Sequence, residues 1–171
     1  IDYKAELEIK ENCVKNNLKR IGGCEPQFDE IVSLNISSYR NKCQYPVSMI
    51  NGEVVIGFYS NHSHRVVDCE ECDLQQPEFK KAVKILKEYI TKHNISVYDS
   101  ETNKGIIRHL YLRKAVKTNE LLVCLVINDN NVPALDELVN SFKFSFPEQL
   151  KSIVLNVNTE KSNVILGKEC I

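Results

Sequence analysis

The chain has 171 residues, of which 43% are hydrophobic and 26% charged, a composition typical of a soluble globular protein and not of a disordered or fibrous one. It carries 22 basic and 23 acidic residues, so the formal charge is -1 and any nucleic-acid contact requires a local basic patch. The longest apolar run is far shorter than the roughly 20 residues of a membrane-spanning helix.

The ends and the cysteines of the chain suggest its context. The first residue is Ile1 and the only methionine is Met49, so we expect the chain to be part of a longer protein. Seven cysteines are an odd number and show no spacing typical of a disulfide framework, which favours a reducing, cytoplasmic location.

The first half of the chain predicts one helix and one hairpin. Apolar residues recur at helical spacing over residues 3–21, and a Gly-Gly pair follows. Residues 38–49 and 53–60 are rich in strand formers and flank Asn51-Gly52, the strongest short signal for a hairpin. Residues 61–76 are polar and rich in His, Cys and acids, and we predict a loop there.

The second half repeats a similar order. Pro77 opens a segment with apolar residues at steps of three and four up to Ile90, which predicts a helix. Residues 105–116 and 120–128 predict a second strand pair, the latter apolar on both faces and therefore central in the sheet. Pro133 begins a shorter predicted helix, and the last predicted strand covers 152–157.

Two β-β-α units predict an α+β fold, a mainly antiparallel sheet with helices on one side and an N-terminal helix. The predicted organisation is a helix at 1–23, a core at 38–158 and a connection at 159–171.

The predicted loop contains four potential zinc ligands: His62, His64, Cys69 and Cys72. Two imidazoles and two thiolates suit tetrahedral zinc, although these four lie within eleven residues and acidic neighbours raise thiol pKa values. The alternative interpretation is an exposed polar loop. Four other cysteines, Cys13, Cys24, Cys43 and Cys124, lie in or near apolar patterns and are predicted to pack as small hydrophobic residues. The sequence contains no glycine-rich nucleotide loop and no nucleophile elbow.

The most informative charge pattern lies between residues 103 and 119, which hold five basic residues, one histidine and no acid. On an extended strand His109, Tyr111 and Arg113 share one face, as do Arg40, Lys42 and Gln44 on the first hairpin. Such faces could follow a phosphate backbone and stack a base. Equally, basic residues on strands can simply protect a sheet edge.

Four segments together resemble the RNA uracil-5-methyltransferase family: NNLKRIGG (16–23), YRNKCQYPV (39–47), GIIRHLYLRKA (105–115) and LNVNTEKSNVILG (155–167). The resemblance implies a central α+β domain that lies between an N-terminal barrel with a cysteine cluster motif and a C-terminal methyltransferase domain. In that family the C-terminal domain holds S-adenosylmethionine, the nucleophilic Cys and the base, so the resemblance implies no catalytic residue in this chain.

The resemblance also implies ligands and partners. Cys72 matches the position of a fourth ligand to an iron-sulfur (4Fe-4S) cluster in the parent protein, with the other three ligands outside this chain. The expected partner is RNA, ribosomal rather than transfer RNA, with no membrane contact. The candidate RNA contacts are Arg40, Asn41, Lys42, Gln44, Arg108, His109 and Arg113. Because Arg108 and Arg113 are five residues apart, we expect them to point to opposite faces of a regular strand. At least one should then be an end-of-strand contact or form a structural pair with an acid.

Overall fold

A computed structural model of the chain describes residues 2–33, 36–69 and 71–171. The chain divides into two compact units, Ile1–Ser37 and Ser38–Ile171. The first unit contains helix α1 (Tyr3–Arg20), which confirms the predicted N-terminal helix. Within this unit the Lys15 ammonium lies 5.3 Å from the centre of the Phe28 ring, a cation–π contact between the helix and the segment that follows it.

The second unit is a seven-stranded sheet with two helices. In chain order its elements are β1 (Lys42–Ile50), β2 (Glu53–Tyr59), β3 (Val66–Asp68), α2 (Pro77–His93), β4 (Ile107–Ala115), β5 (Glu120–Ile127), α3 (Leu135–Ser145), β6 (Leu150–Val157) and β7 (Glu169–Cys170). The strands lie in the order β3-β2-β1-β4-β5-β6-β7. Neighbours are antiparallel except β5 and β6, which are parallel and joined through α3. The predicted α+β class is therefore confirmed.

Local sequence explains the first hairpin. Asn51 and Gly52 both have positive φ, at 53° and 83°, as a two-residue turn between twisted antiparallel strands requires. The turn places Ile50 opposite Glu53 and fixes the β1–β2 register.

The hydrophobic core lies between the helices and one face of the sheet. Phe79 and Leu86 of α2 and Phe142 of α3 are completely buried, together with Leu110 and Leu125 of the central strands. Among the described residues, no helix is long and apolar enough to cross a membrane.

Two short edge strands were not predicted. The prediction of a loop throughout 61–76 was wrong at β3, whose backbone pairs with β2. Gly57 makes this pairing possible, since a Cβ there would lie 1.9 Å from the Val67 carbonyl oxygen. At the other edge, β7 pairs with β6 inside the segment predicted as a connection.

Candidate nucleic-acid interface

The pairing of β1 with β4 brings two groups of predicted contact residues together. It places Lys42 opposite Arg113, Gln44 opposite Tyr111, and Pro46 opposite His109. Residues directly opposite each other on antiparallel strands share one face of a sheet. The alternate residues on both strands belong to the helix-side core, so this row lies on the face away from α2 and α3. We call Lys42, Gln44, Tyr111 and Arg113 the basic face.

Two exposed cations face each other at one end of the basic face. Lys42 and Arg113 are directly opposite, an arrangement that destabilises a sheet when the charges are alike and nothing compensates them. Across the described ranges no carboxylate lies within 4.0 Å of either side chain. The next pair, Gln44 and Tyr111, is half-buried and adds an amide and a phenol. Together these groups suit a partner with negative charge and flat rings.

Lys114, the next residue along β4 after Arg113, has an acidic partner, unlike Lys42 and Arg113 among the described residues. It points to the helix side of the sheet, where its Nζ donates to Glu78 Oε1 at 2.7 Å. Gln149 Nε2 donates to the same oxygen at 3.1 Å. Burial by itself raises the pKa of Glu78, but the hydrogen bonds and charge of Lys114 outweigh it and leave that pKa below its usual value. Lys114 is thus a structural cation, whereas Lys42 and Arg113 remain available to a partner.

Arg40 and Asn41 lie immediately before β1 and both are exposed. The Arg40 backbone N–H donates to the Leu74 carbonyl at 2.9 Å, and the Asn41 carbonyl accepts from the Lys114 N–H at 2.8 Å. The Arg40 backbone is therefore fixed to the segment before α2 and the Asn41 backbone to β4, while both residues are exposed.

Arg108 is buried at an irregularity of β4, where the register shifts between Ile107 and His109. One guanidinium nitrogen donates to the carbonyls of Asn158 at 2.6 Å and Glu160 at 3.0 Å. The guanidinium carbon also lies 4.0 Å from the centre of the Tyr98 ring. Arg108 thus fixes the turn after β6 through backbone carbonyls and not through the carboxylate of an acid. Its contact with RNA stays a prediction.

His109 is buried at the other end of the same row. Its Nε2 lies 3.5 Å from the Tyr59 hydroxyl, and its Nδ1 has no hydrogen-bond partner. Burial, assisted by the positive charge of Arg108, lowers the pKa of His109 to about 4. The imidazole is therefore neutral at pH 7, and among the described residues its Nδ1 has no hydrogen-bond partner.

Beside His109 lies a cleft of about 900 Å³. Its walls come from the end of β1, the end of β2 and the start of β3, the segment before β4, and residues 161–165. Tyr59, His64 and Tyr98 supply aromatic rings, while Asp99 and Lys161 supply charged groups of opposite sign. Sequence reasoning missed this cleft because five separate segments, including the start of β4, form it, and no single segment carries a recognisable motif.

Among the described residues, the cysteine-containing segment does not bring the candidate zinc ligands together. Across residues 2–33, 36–69 and 71–171, no three His, Cys, Asp or Glu side chains converge to hold a metal ion, so the hypothesis that His62, His64, Cys69 and Cys72 bind zinc is not supported. His64 instead packs edge-on against Tyr59, with ring centres 5.7 Å apart.

The thiols of this segment lie close to one another. Burial raises the pKa of Cys69, and the charge of Cys72 and a hydrogen bond with its thiol raise it further. Burial also raises the pKa of Cys43 to about 11. Cys72 is half-buried ahead of α2.

Of the four cysteines predicted to pack, Cys43 and Cys124 are buried, whereas Cys13 and Cys24 are exposed, so the packing prediction was wrong for the latter two.

Comparison with known proteins finds relatives that match the whole of this chain. An uncharacterized RNA methyltransferase of Clostridium tetani is 40% identical over 172 residues, covering 100% of this chain and 37% of that protein. Another, from Caldanaerobacter subterraneus subsp. tengcongensis, is 40% identical over 172 residues, covering 100% of this chain and 38% of its own length. Over its whole length the chain is similar to one part of these RNA methyltransferases.

A solved structure has a similar fold. The crystal structure of Pyrococcus abyssi tRNA (uracil-54, C5)-methyltransferase in complex with S-adenosyl-L-homocysteine matches the fold with a TM-score of 0.75 and 28% sequence identity. The match covers 100% of this chain and 38% of that one. No family model matches the chain. The chain therefore spans about 37 to 38% of the length of the proteins it resembles.

Proposed function

We propose that the chain is the central, RNA-contacting domain of an S-adenosylmethionine-dependent RNA uracil-5-methyltransferase. The observation that supports this most is the basic face, on a chain related over its whole length to RNA methyltransferases. This face presents two opposed cations that no carboxylate of the described residues pairs. A polyanionic partner removes the repulsion between Lys42 and Arg113, because each cation can meet a phosphate.

The residues of the basic face have separate roles in this proposal. Lys42 and Arg113 contact phosphates and add affinity without sequence preference. Gln44 and Tyr111 are suited to base edges and base rings, which single-stranded RNA exposes. Arg40 and Asn41, exposed immediately before β1, extend the same surface. Arg108 and His109 act at the buried end of the row, Arg108 mainly by fixing the turn at residues 158–160.

S-adenosylmethionine, when bound, supplies the methyl group that is transferred to the RNA. The sequence has no glycine-rich loop to hold that cofactor, so we assign the cofactor site and the nucleophile to the remainder of the protein. This chain's part is to bind and orient RNA. Cys72 is suited to donate one thiolate to an iron-sulfur cluster whose other ligands lie elsewhere, since thiolates are the usual ligands of such clusters.

We propose ribosomal RNA as the substrate, as the sequence resemblance implies. The solved relative acts on transfer RNA, so both substrates belong in the test. The complete protein is incubated with labelled S-adenosylmethionine and unmodified transcripts of both RNA classes. Nucleoside mass spectrometry should then identify 5-methyluridine in one class. Methylation of a base other than uracil, or of no RNA, would overturn the proposal.

A matched pair of variants tests the domain role in the same assay. Lys42→Ala with Arg113→Ala should raise the RNA concentration needed for half-maximal methylation. Lys84→Ala with Lys143→Ala removes two exposed lysines from α2 and α3, on the opposite side of the sheet, and should leave it unchanged.

A further inference from the structure

Two residues that line the cleft beside His109 each carry a buried polar atom without a hydrogen-bond partner. Among the described residues, buried side-chain atoms without a hydrogen-bond partner include Arg108 Nε and His109 Nδ1, and both residues line the cleft. His109 is only 7% exposed and Arg108 only 3%, so the surrounding protein holds both in place. Buried polar groups are nearly always paired, and an adjacent unpaired pair beside an open cleft therefore points to a ligand.

The aromatic rings of the cleft offer a stacking surface. Tyr59 is 47% exposed, although it ends a strand of the sheet. Its ring meets His64 edge-on at 81° and His109 at 77°, with centres 5.7 and 6.5 Å apart. These contacts fix the Tyr59 ring while leaving part of it accessible, as a platform for a flat ligand requires.

The charges in the cleft favour a nucleobase over a phosphate. The charged end of Arg108 is already bonded to two backbone carbonyls, and Lys161 Nζ donates to the Glu101 carbonyl at 2.9 Å. The Asp99 carboxylate also lines the cleft and would repel an anion. A base offers uncharged donors and acceptors on its edge and a flat ring for stacking. A volume of about 900 Å³ is ample for one nucleotide.

The cleft is also continuous with the proposed RNA surface. Arg113, Tyr111 and His109 follow one another on the same face of β4, about 13 Å from first to last at strand spacing. An RNA strand held by the cations of the basic face could therefore reach His109.

We propose that the cleft receives one unpaired base of the RNA substrate, which stacks on Tyr59 and hydrogen-bonds to the His109 imidazole. This inference rests on the proposed function and adds a base-reading subsite to it. It assigns to Tyr59 and His109 a part in RNA binding that is separate from the phosphate contacts of Lys42 and Arg113.

The test compares oligomers that differ only in their bases. Fluorescence anisotropy of the complete protein is measured with oligouridylate, with oligoadenylate and with a ribose-phosphate oligomer of equal length that carries no bases. Tyr59→Ala and His109→Gln should each weaken binding to the preferred base-containing oligomer by about fivefold or more, the usual size of a lost base–aromatic contact, and leave binding to the abasic oligomer unchanged.

Three controls separate the possible outcomes. Tyr59→Phe keeps the ring and should retain the affinity for the base-containing oligomer. Phe144→Ala removes an exposed ring of α3 on the helix side and should change nothing. Lys42→Ala should weaken binding to all oligomers equally, because it removes a phosphate contact.

Two results would count against the account in different ways. If the protein binds the oligomers but Tyr59→Ala and His109→Gln affect base-containing and abasic forms alike, or affect neither, the cleft is not a base subsite and the proposed function stands. If the wild-type protein binds none of the oligomers, RNA contact by this domain is itself wrong.

Discussion

Lowering the pH from 7 to 5 should destabilise this chain through His109. The folded pKa of His109 is about 4, and that of an unfolded histidine is about 6.5. Between these values the unfolded chain binds more protons than the folded chain, so stability rises with pH. The contribution of His109 is therefore present above pH 6.5 and is lost as the pH falls towards 4.

The magnitude follows from the two pKa values. Each pH unit between them costs about 1.4 kcal/mol, so the free energy of unfolding should fall by about 2 kcal/mol between pH 7 and pH 5 from this residue alone. Carboxylates with lowered pKa values, such as Glu78, lose stability in acid as well. The effect of His109 therefore has to be measured as a difference between two proteins.

The suitable comparison is His109→Gln, which keeps a polar side chain of similar size without the titrating ring. Urea unfolding of both proteins is followed by far-UV circular dichroism, because the chain has no tryptophan. The stability advantage of the wild type over the variant should shrink by about 2 kcal/mol from pH 7 to pH 5. In parallel, carbon-13 NMR of the wild-type imidazole should show it neutral at pH 5. A constant difference between the two proteins, or a protonated ring at pH 5, would refute the reasoning.

Three further outcomes follow from the structure. Glu78→Ala leaves Lys114 largely buried without its partner and should lower the free energy of unfolding, measured in urea, by about 1.5 to 3 kcal/mol. The control Glu88→Ala removes one residue of an exposed ion pair with a separation of 3.9 Å and should leave the unfolding midpoint unchanged. Equal effects of the two variants would exclude a special role for the Lys114–Glu78 pair. Cys72→Ser in the complete protein should reduce its iron content and visible absorbance, while Cys13→Ser should not; unchanged iron in Cys72→Ser would exclude it as a ligand. The chain alone should transfer no methyl group from labelled S-adenosylmethionine to unmodified RNA, and scintillation counting of incorporated label would reveal any such transfer.

Elements that depend on local sequence were predictable. The helical spacing of apolar residues located all three helices, and Asn51-Gly52 located the first hairpin. The short strands β3 and β7 were missed because their backbones pair with distant strands and their own residues carry little pattern. The parallel pairing of β5 with β6 depends on how α3, the helix that connects them in the chain, packs. The periodicity of the sequence does not reveal that packing.

The interface was predictable in its residues but not in its assembly. Strand alternation placed Lys42 with Gln44 and Tyr111 with Arg113 on shared faces, and the structure confirms both placements. That β1 and β4 are direct neighbours, about 70 residues apart in sequence, required the fold. The irregularity at Arg108, which buries that arginine and leaves His109 beside a cleft, had no sequence signal that we recognised.

The salt dependence of RNA binding tests the central claim, RNA contact through the basic face, most directly. In the complete protein, Lys42→Ala with Arg113→Ala should weaken RNA affinity. The slope of log affinity against log salt concentration should become shallower by about 0.7 to 0.9 for each lost phosphate contact. The control is Lys84→Ala with Lys143→Ala, which removes the same charge from α2 and α3 and should keep the wild-type slope. If the two double variants give the same slope and affinity, the basic face does not bind RNA.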